Sequence, residues 1–240
     1  MRDHNPRLKL LDVGTGPGTI TIGFAQAIPQ GHVTAVDLNP EALSLARAAA
    51  KTAGVDNMEF LEADIHQLPF ADGTFDITHC HQVLTHIKAP WDAIRELVRV
   101  TKPGGIVAAR EGDLASECIW PEISGLTKFH NFVSKIMELA GGSVSAGRQL
   151  LDWALRAGVD REQINLTYGT WGCSSASDKK TWARAMIHEL QTNRWREAGL
   201  KAGIATEQDL DEMAIAWNEW AESDRSTLAM IQGQVIIQKN

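Results

Sequence analysis

A chain of 240 residues with 44% hydrophobic and 22% charged residues has the balance of a globular protein, long enough to bury roughly 70–75% of its unfolded surface. Its formal charge of −7, with Lys and Arg scattered along the chain, excludes the basic footprint of a nucleic-acid-binding surface and points to a small-molecule partner. Cys80, Cys118 and Cys173 lack metal-ligand spacing, MRDHNPRLKL carries no signal-like apolar run, and nothing approaches the ~18 apolar residues of a membrane span, so a cytoplasmic protein with free thiols is expected.

Leu8, Leu10, Leu11 and Val13 form an apolar run that stops at Gly14-Thr15-Gly16-Pro17-Gly18, after which Ile20, Ile22, Phe24, Ala25 and Ile28 read as one buried helix. That helix closes at Pro29-Gln30-Gly31. HVTAVDL is then a short buried strand finishing on Asp37, and Pro40 starts the helix EALSLARAAAKTAG. MEFLEAD reads as a third strand ending on Asp64, FDITHCH as a fourth, WDAIRELVRVTK as a helix stopped by Pro103-Gly104-Gly105, and GIVAARE as a fifth strand. This alternation predicts an α/β fold with a parallel sheet and helices on both faces, because parallel neighbours require crossovers. Ligands of such a sheet bind beyond the carboxyl ends of its strands.

From about Leu114 the pattern changes, and PEISGLTKFHNFVSKIMELA reads as an inserted helix, so residues 1–240 are expected to form a single domain with a helical insertion around 114–145. GRQLLDWALRAG is a further helix, QINLTYGTW a strand, SDKKTWARAMIHELQTNRWREAG and TEQDLDEMAIAWNEWAES two helices, and AMIQGQVIIQK a last strand. Thr206 and Asp209 have the spacing of a capping box, and Leu210, Met213, Ala214 and Trp217 form one apolar stripe. Every Trp except Trp91 lies after residue 118. They read as packing for the late helices, with Trp120 or Trp171 as a candidate wall of a substrate pocket.

The glycine turn poses the ligand question. Glycines there permit positive φ and let a ligand approach the backbone without meeting a Cβ, while the new helix presents unpaired N–H groups: a cradle for a nucleotide-like molecule. Gly14, Gly16 and Gly18 fit G-x-G-x-G, whereas the dinucleotide fingerprint asks for a small residue at Thr19. Asp37 suits ribose hydroxyls in either ligand class. Asp64, followed by Ile65, suits the amine and ring edge of an adenine, and no pyrophosphate is then needed.

LDVGTGPG, VDL, EADIHQLPFADGTFD and RVTKPGG together resemble the class I S-adenosylmethionine-dependent methyltransferases, and HQVLTHIKAP, GGIVAAREGD and GRQLLDWALRAG are similar to their ubiquinone/menaquinone-type small-molecule branch. The resemblance implies a Rossmann-like, doubly wound sheet of seven strands, the last antiparallel. It implies that S-adenosylmethionine is the cofactor, with Asp12, Gly14, Thr15, Gly16, Gly18 and His79 around its methionine part, Asp37 on the ribose, Leu38 on one adenine face, and Asp64 with Ile65 at the adenine edge.

A methyl sulfonium is already activated, so transfer needs in-line placement and a dry cavity more than a strong base. Where a hydroxyl is the acceptor a base helps, and HCHQVLTH offers His81 first and His86 second; the three His have no carboxylate or thiolate at ligand spacing, and no metal is expected. Gln82, Arg110, Asp113, Trp120 and Arg148 are the candidate substrate contacts. Two rival readings share the motifs: a methyltransferase-like protein that binds the cofactor without moving its methyl, as a cyclase or a partner subunit, and an NAD-dependent oxidoreductase. Finally, the first strand begins within ten residues of Met1, where relatives carry a helical lid. A homodimer, or a roof formed by the insertion through Ile119, Trp120, Ile123, Phe129, Phe132 and Ile136, is therefore expected.

Overall fold

A computed structural model describes residues 7–191 and 193–240. β1 (Lys9–Val13), β2 (His32–Asp37), β3 (Met58–Glu62), β4 (Phe75–His81), β5 (Thr101–Trp120), β6 (Ile164–Cys173) and β7 (Thr227–Gln238) form one sheet in the order β3-β2-β1-β4-β5-β7-β6. The pairs β2/β3, β1/β2, β1/β4 and β4/β5 are parallel, and β7 runs antiparallel to both β5 and β6. The Rossmann-like seven-stranded sheet with an antiparallel last strand is thus the architecture of this chain. Strand order reverses between β1 and β4, and at such a switch point the loops leaving the two strands splay apart and open a crevice.

The helices are α1 (Thr19–Ala27), α2 (Pro40–Thr52), α3 (Pro90–Val100), α4 (Ser124–Ala140), α5 (Ala146–Arg156), α6 (Ala176–Gln191), α7 (Asn193–Lys201) and α8 (Glu207–Glu222). Local chemistry sets several of their ends. Pro40 stands in the first turn of α2 while the Asn39 side chain accepts from Glu41 N, and Thr206 and Asp209 form the reciprocal capping box that opens α8. Two large apolar clusters cover the sheet. The first packs Leu11, Val13 and Val107 against Leu97 of α3 and Leu150 and Trp153 of α5; the second packs Leu228 and Met230 against Phe129 of α4 and Trp217 and Trp220 of α8. β7 serves both: Val235 and Ile237 belong to the first cluster, one strand position out of phase with Leu228 and Met230.

Several boundaries differ from those read in the sequence. β5 does not end at Glu111 but continues to Trp120, held by antiparallel pairing with β7 that the local pattern could not reveal. Its register shifts between Asp113 and Cys118, so residues 114–117 are irregular and 118–120 pair with β7 again, making strand of the start of the expected insertion; the helix read from Pro121 starts at Ser124. β3 stops at Glu62, two residues before Asp64, and α3 gives way at Thr101, which pairs with Phe75 before Pro103 is reached. The helix expected over 177–199 is described as α6 and α7, helical on either side of residue 192, which lies outside the described residues.

Candidate functional site

The turn after β1 is fixed from β2. Gly14 N and Thr15 N both donate to Val36 O, at 2.7 and 3.0 Å, and Gly14 takes φ +75°. A Cβ on Gly14 would lie 2.2 Å from Val83 Cγ2, so the loop after β4 closes directly on this residue. Gly16, at φ +53°, is the opposite case: a Cβ there meets nothing within 4 Å, so the backbone borders open space. Gly18 is the N-cap of α1 and packs on Ala46 of α2.

Asp12 is buried and accepts from the Thr21 hydroxyl, which also shares a hydrogen bond with Thr15; its second oxygen lies 2.7 Å from His79 Nδ1. Asp12 therefore binds the start of α1 to the end of β4, and Phe24 presents its edge to the His79 ring. Asp37 accepts Gly16 N and Asn39 N, each at 2.9 Å, bringing the carboxylate to the glycine turn. Leu38 follows it, 66% exposed, an apolar face offered to solvent at the crevice edge. Asp64 accepts His66 N at 2.9 Å; that backbone hydrogen bond is the main cause holding its carboxyl below the ordinary range, with His66 Nδ1 adding to it. The Ile65 side chain is buried in the first cluster, which leaves only its backbone to face a ligand.

β4 and β5 bring the remaining candidates together. His81 stands opposite Arg110 in the β4/β5 register, its ring 6.3 Å from that of His79. Burial lowers the His81 pKa, and the Arg110 charge lowers it further, against the opposing effect of the Asp12 carboxylate. Arg110 Nε is buried without a hydrogen-bond partner. Gln82 adopts φ +57°, outside the ordinary regions for a residue with a side chain, and is held there by donating its N–H to Arg110 O and accepting Gly112 N on Oε1. Next to it, Glu111 draws the N–H groups of Val83, Leu84 and Thr85 onto its carboxylate; burial nevertheless raises its pKa to about 7. Nothing local in the sequence marks this clamp.

A cavity of about 320 Å³ opens beside these strand ends, lined by Gln82, Thr85, His86 and Gly112 on the sheet side and by Phe129, Val133, Met137, Trp182, Trp195 and Met230 from the late elements. α4 thus walls this cavity, and Phe129, Phe132 and Ile136 are buried in the second cluster. Asp113 and Arg148 form a bidentate ion pair at 2.5 and 2.6 Å, with Asp113 only 1% exposed: the two candidate contacts satisfy each other. Trp120 is 61% exposed at the far end of β5, where its carbonyl accepts from Trp220 Nε1, and it is not part of the cavity wall. Trp171 stacks against Trp182, one residue removed from the wall. Among the described residues no group of three or more His, Cys, Asp or Glu is arranged to hold a metal ion, and no helix is long and apolar enough to cross a membrane.

The methyltransferase-domain family matches residues 4–163, two thirds of the chain and all of β1 to α5. Over 238 residues the chain is 37% identical to an uncharacterized methyltransferase of Schizosaccharomyces pombe, covering 96% of this chain and 84% of that protein. The chain belongs to the class I S-adenosylmethionine-dependent methyltransferases. It is also 29% identical over 175 residues to the ubiquinone/menaquinone biosynthesis C-methyltransferase UbiE of Bdellovibrio bacteriovorus, covering 67% of this chain and 74% of that one. The YcgJ protein of Bacillus subtilis has the same fold, with a TM-score of 0.61 at 20% identity, over 98% of this chain and 93% of that one.

Proposed function

We propose that this methyltransferase uses S-adenosylmethionine to methylate a small, largely apolar acceptor held in the cavity between the ends of β4 and β5 and helices α4, α6 and α7. The observation that carries this reading is the juxtaposition of two spaces: the open cradle at Gly16 and the aromatic and Met-lined cavity, joined by the loop whose Val83 closes on Gly14 and whose Gln82 lines the cavity. The cradle fits the cofactor. A side chain at Gly16 would fill it, Asp37 borders it as an acceptor for hydroxyls, and Leu38 offers an apolar face to a ring. Asp12, Gly14, Thr15, Gly16, Gly18 and His79 would surround the methionine part, Asp37 the ribose, Leu38 one adenine face, and Asp64 with the Ile65 backbone the adenine edge.

The bound cofactor supplies an activated methyl on a sulfonium. What the chain adds is placement, exclusion of water by Phe129, Met137, Trp182 and Trp195, and a proton acceptor. His81, at the end of β4 beside the cavity and kept neutral by burial, is the first candidate to take the acceptor's proton, and His86, which lines the cavity wall, the second. Gln82 orients the acceptor at the wall, and Arg110, its Nε buried without a hydrogen-bond partner, stands opposite His81 behind it. Asp113 and Arg148 support the wall through their mutual pair, and Trp120 has no part in it. The test is incubation of the chain with methyl-labelled S-adenosylmethionine and a metabolite extract, followed by mass spectrometry. A labelled methyl on a small molecule is expected. Tight cofactor binding by calorimetry with no methyl gain would favour the non-transferring reading, and absence of cofactor binding would overturn the site itself.

A further inference from the structure

A second, smaller cavity of about 190 Å³ lies between β5 and α4, lined by Leu114, Ala115, Glu117, His130, Asn131 and Ser134 among others. The register shift between Asp113 and Cys118 frees residues 114–117 from regular pairing with β7, and a bulged strand can re-aim a side chain; here Glu117 reaches α4, with Oε2 2.7 Å from His130 Nε2. The Glu117 side chain is only 1% exposed, and its Oε1 is buried without any hydrogen-bond partner. Burial raises the Glu117 pKa to about 8 and lowers that of His130, so at neutral pH the pair carries little charge and has one strong acceptor unused. Neither residue takes part in the site described above.

An unused carboxylate oxygen on a residue that lines a cavity calls for a donor. No Lys or Arg lines the cavity, whereas Asn131 and Ser134, exposed three residues apart on α4, add further oxygen acceptors at its mouth. One carboxylate and one imidazole are too few to hold a metal ion, which takes four to six donors. A primary ammonium offers three N–H donors and one positive charge. We infer that this cavity is a binding site for a small primary ammonium group, with Glu117 Oε1 as its ion partner and His130 fixing the other carboxylate oxygen. When the cation binds, Glu117 gives its proton to solvent and His130 Nε2–H donates to Oε2. The occupant rests against Leu114 and Val133, and Val133 is also part of the wall of the larger cavity.

Binding that ionises Glu117 strengthens with pH. The titratable groups facing Glu117 are His130 from α4 and the Cys173 thiol from β6; burial pushes Cys173 up to about 11, so it stays protonated through the range tested. The experiment is calorimetric titration of the whole chain, without cofactor, with propylammonium chloride from pH 6 to 8 and with tetramethylammonium chloride as the cation that lacks N–H donors. Saturable one-site binding is expected, with an affinity that rises as much as about tenfold per pH unit and falls at least about tenfold for tetramethylammonium. E117Q is expected to lose this binding and its pH dependence. Absent or non-saturable binding, an affinity flat with pH, equal affinity for the two cations, or wild-type binding by a folded E117Q would each overturn the inference. If E117Q fails to fold, the wild-type pH profile and the cation comparison decide alone. Because cofactor is absent throughout, the outcome is separate from that of the methyl-transfer assay.

Discussion

Two glycines of one turn are expected to respond to the same substitution in opposite ways. Gly16→Ala places a Cβ in open space at φ +53°, so its cost to folding is the left-handed conformation alone, about 1–2 kcal/mol. At roughly 2–4 °C per kcal/mol for a chain of this size, the midpoint of thermal unfolding falls by a few degrees. The new methyl occupies the cradle, and S-adenosylmethionine affinity falls at least tenfold, about 1.4 kcal/mol. Gly14→Ala has the same backbone cost at φ +75° and adds an overlap with Val83 Cγ2 at 2.2 Å, worth about a further 1–3 kcal/mol as an overpacking term. Val83→Ala in the Gly14→Ala background removes the overlap, so a double-mutant cycle in urea shows the two substitutions coupled by about 1 kcal/mol or more. Thermal melts and calorimetric cofactor titrations read both effects. Wild-type cofactor affinity in a folded Gly16→Ala, or a Gly14→Ala no less stable than Gly16→Ala, would refute the placement of the cradle and of the loop that closes on it.

Asp37→Ala is expected to weaken S-adenosylmethionine binding tenfold or more while lowering the unfolding midpoint by only a few degrees, since the side chain meets solvent and holds Gly16 N and Asn39 N rather than the core; calorimetry beside a melt separates the two. His81→Ala should cut turnover by roughly 10²–10⁴-fold with cofactor affinity intact, and the acid limb of the wild-type rate should lie below the ordinary imidazole value of 6.5, because a lowered pKa keeps the base neutral further into acid. Glu111, raised to about 7, and Glu117, raised to about 8, keep protons in the folded chain that the unfolded chain has released, so above the imidazole range stability falls as pH rises to about 8; urea midpoints measured between pH 7 and 8 should drop in the wild type and flatten in Glu117→Gln. Trp217→Ala should destabilise by about 3–5 kcal/mol in urea unfolding, because its ring is fully buried with edge contacts to Phe129 and Trp220.

What was legible in the sequence was what short stretches decide. The run into Gly14, the glycine turn and the helix after it, Asp37 at a strand end, and the capping box at Thr206 each follow from a few adjacent residues, and the structure has them where they were read, although the helix expected to be buried keeps only Thr21 and Ala25 inside and exposes Ile20. What escaped depends on partners far along the chain. β5 continues past Glu111 only because β7, more than a hundred residues later, pairs with it. Glu111 clamps the loop after β4 through three N–H groups some 26 to 28 residues away, and Glu117 meets His130 only where the strand loses its register. Asp113 and Arg148 read as substrate contacts because both carry charge near the expected mouth; their separation of 35 residues hid that they bond to each other. Trp120 was placed at the site by its chemistry, and the extension of β5 carries it away.

The alternation of β7 between two cores has an evolutionary consequence. Leu228 and Met230 face one cluster and Val235 and Ile237 the other, so a strand only twelve residues long is the common boundary of two separately packed bodies. Replacing a residue of α6 or α8 perturbs the body whose Trp182, Trp195 and Met230 shape the cavity proposed for the acceptor and leaves untouched the packing behind the glycine turn. A lineage built on this plan can drift in what it methylates while the half proposed to hold the methyl donor stays under a different selection.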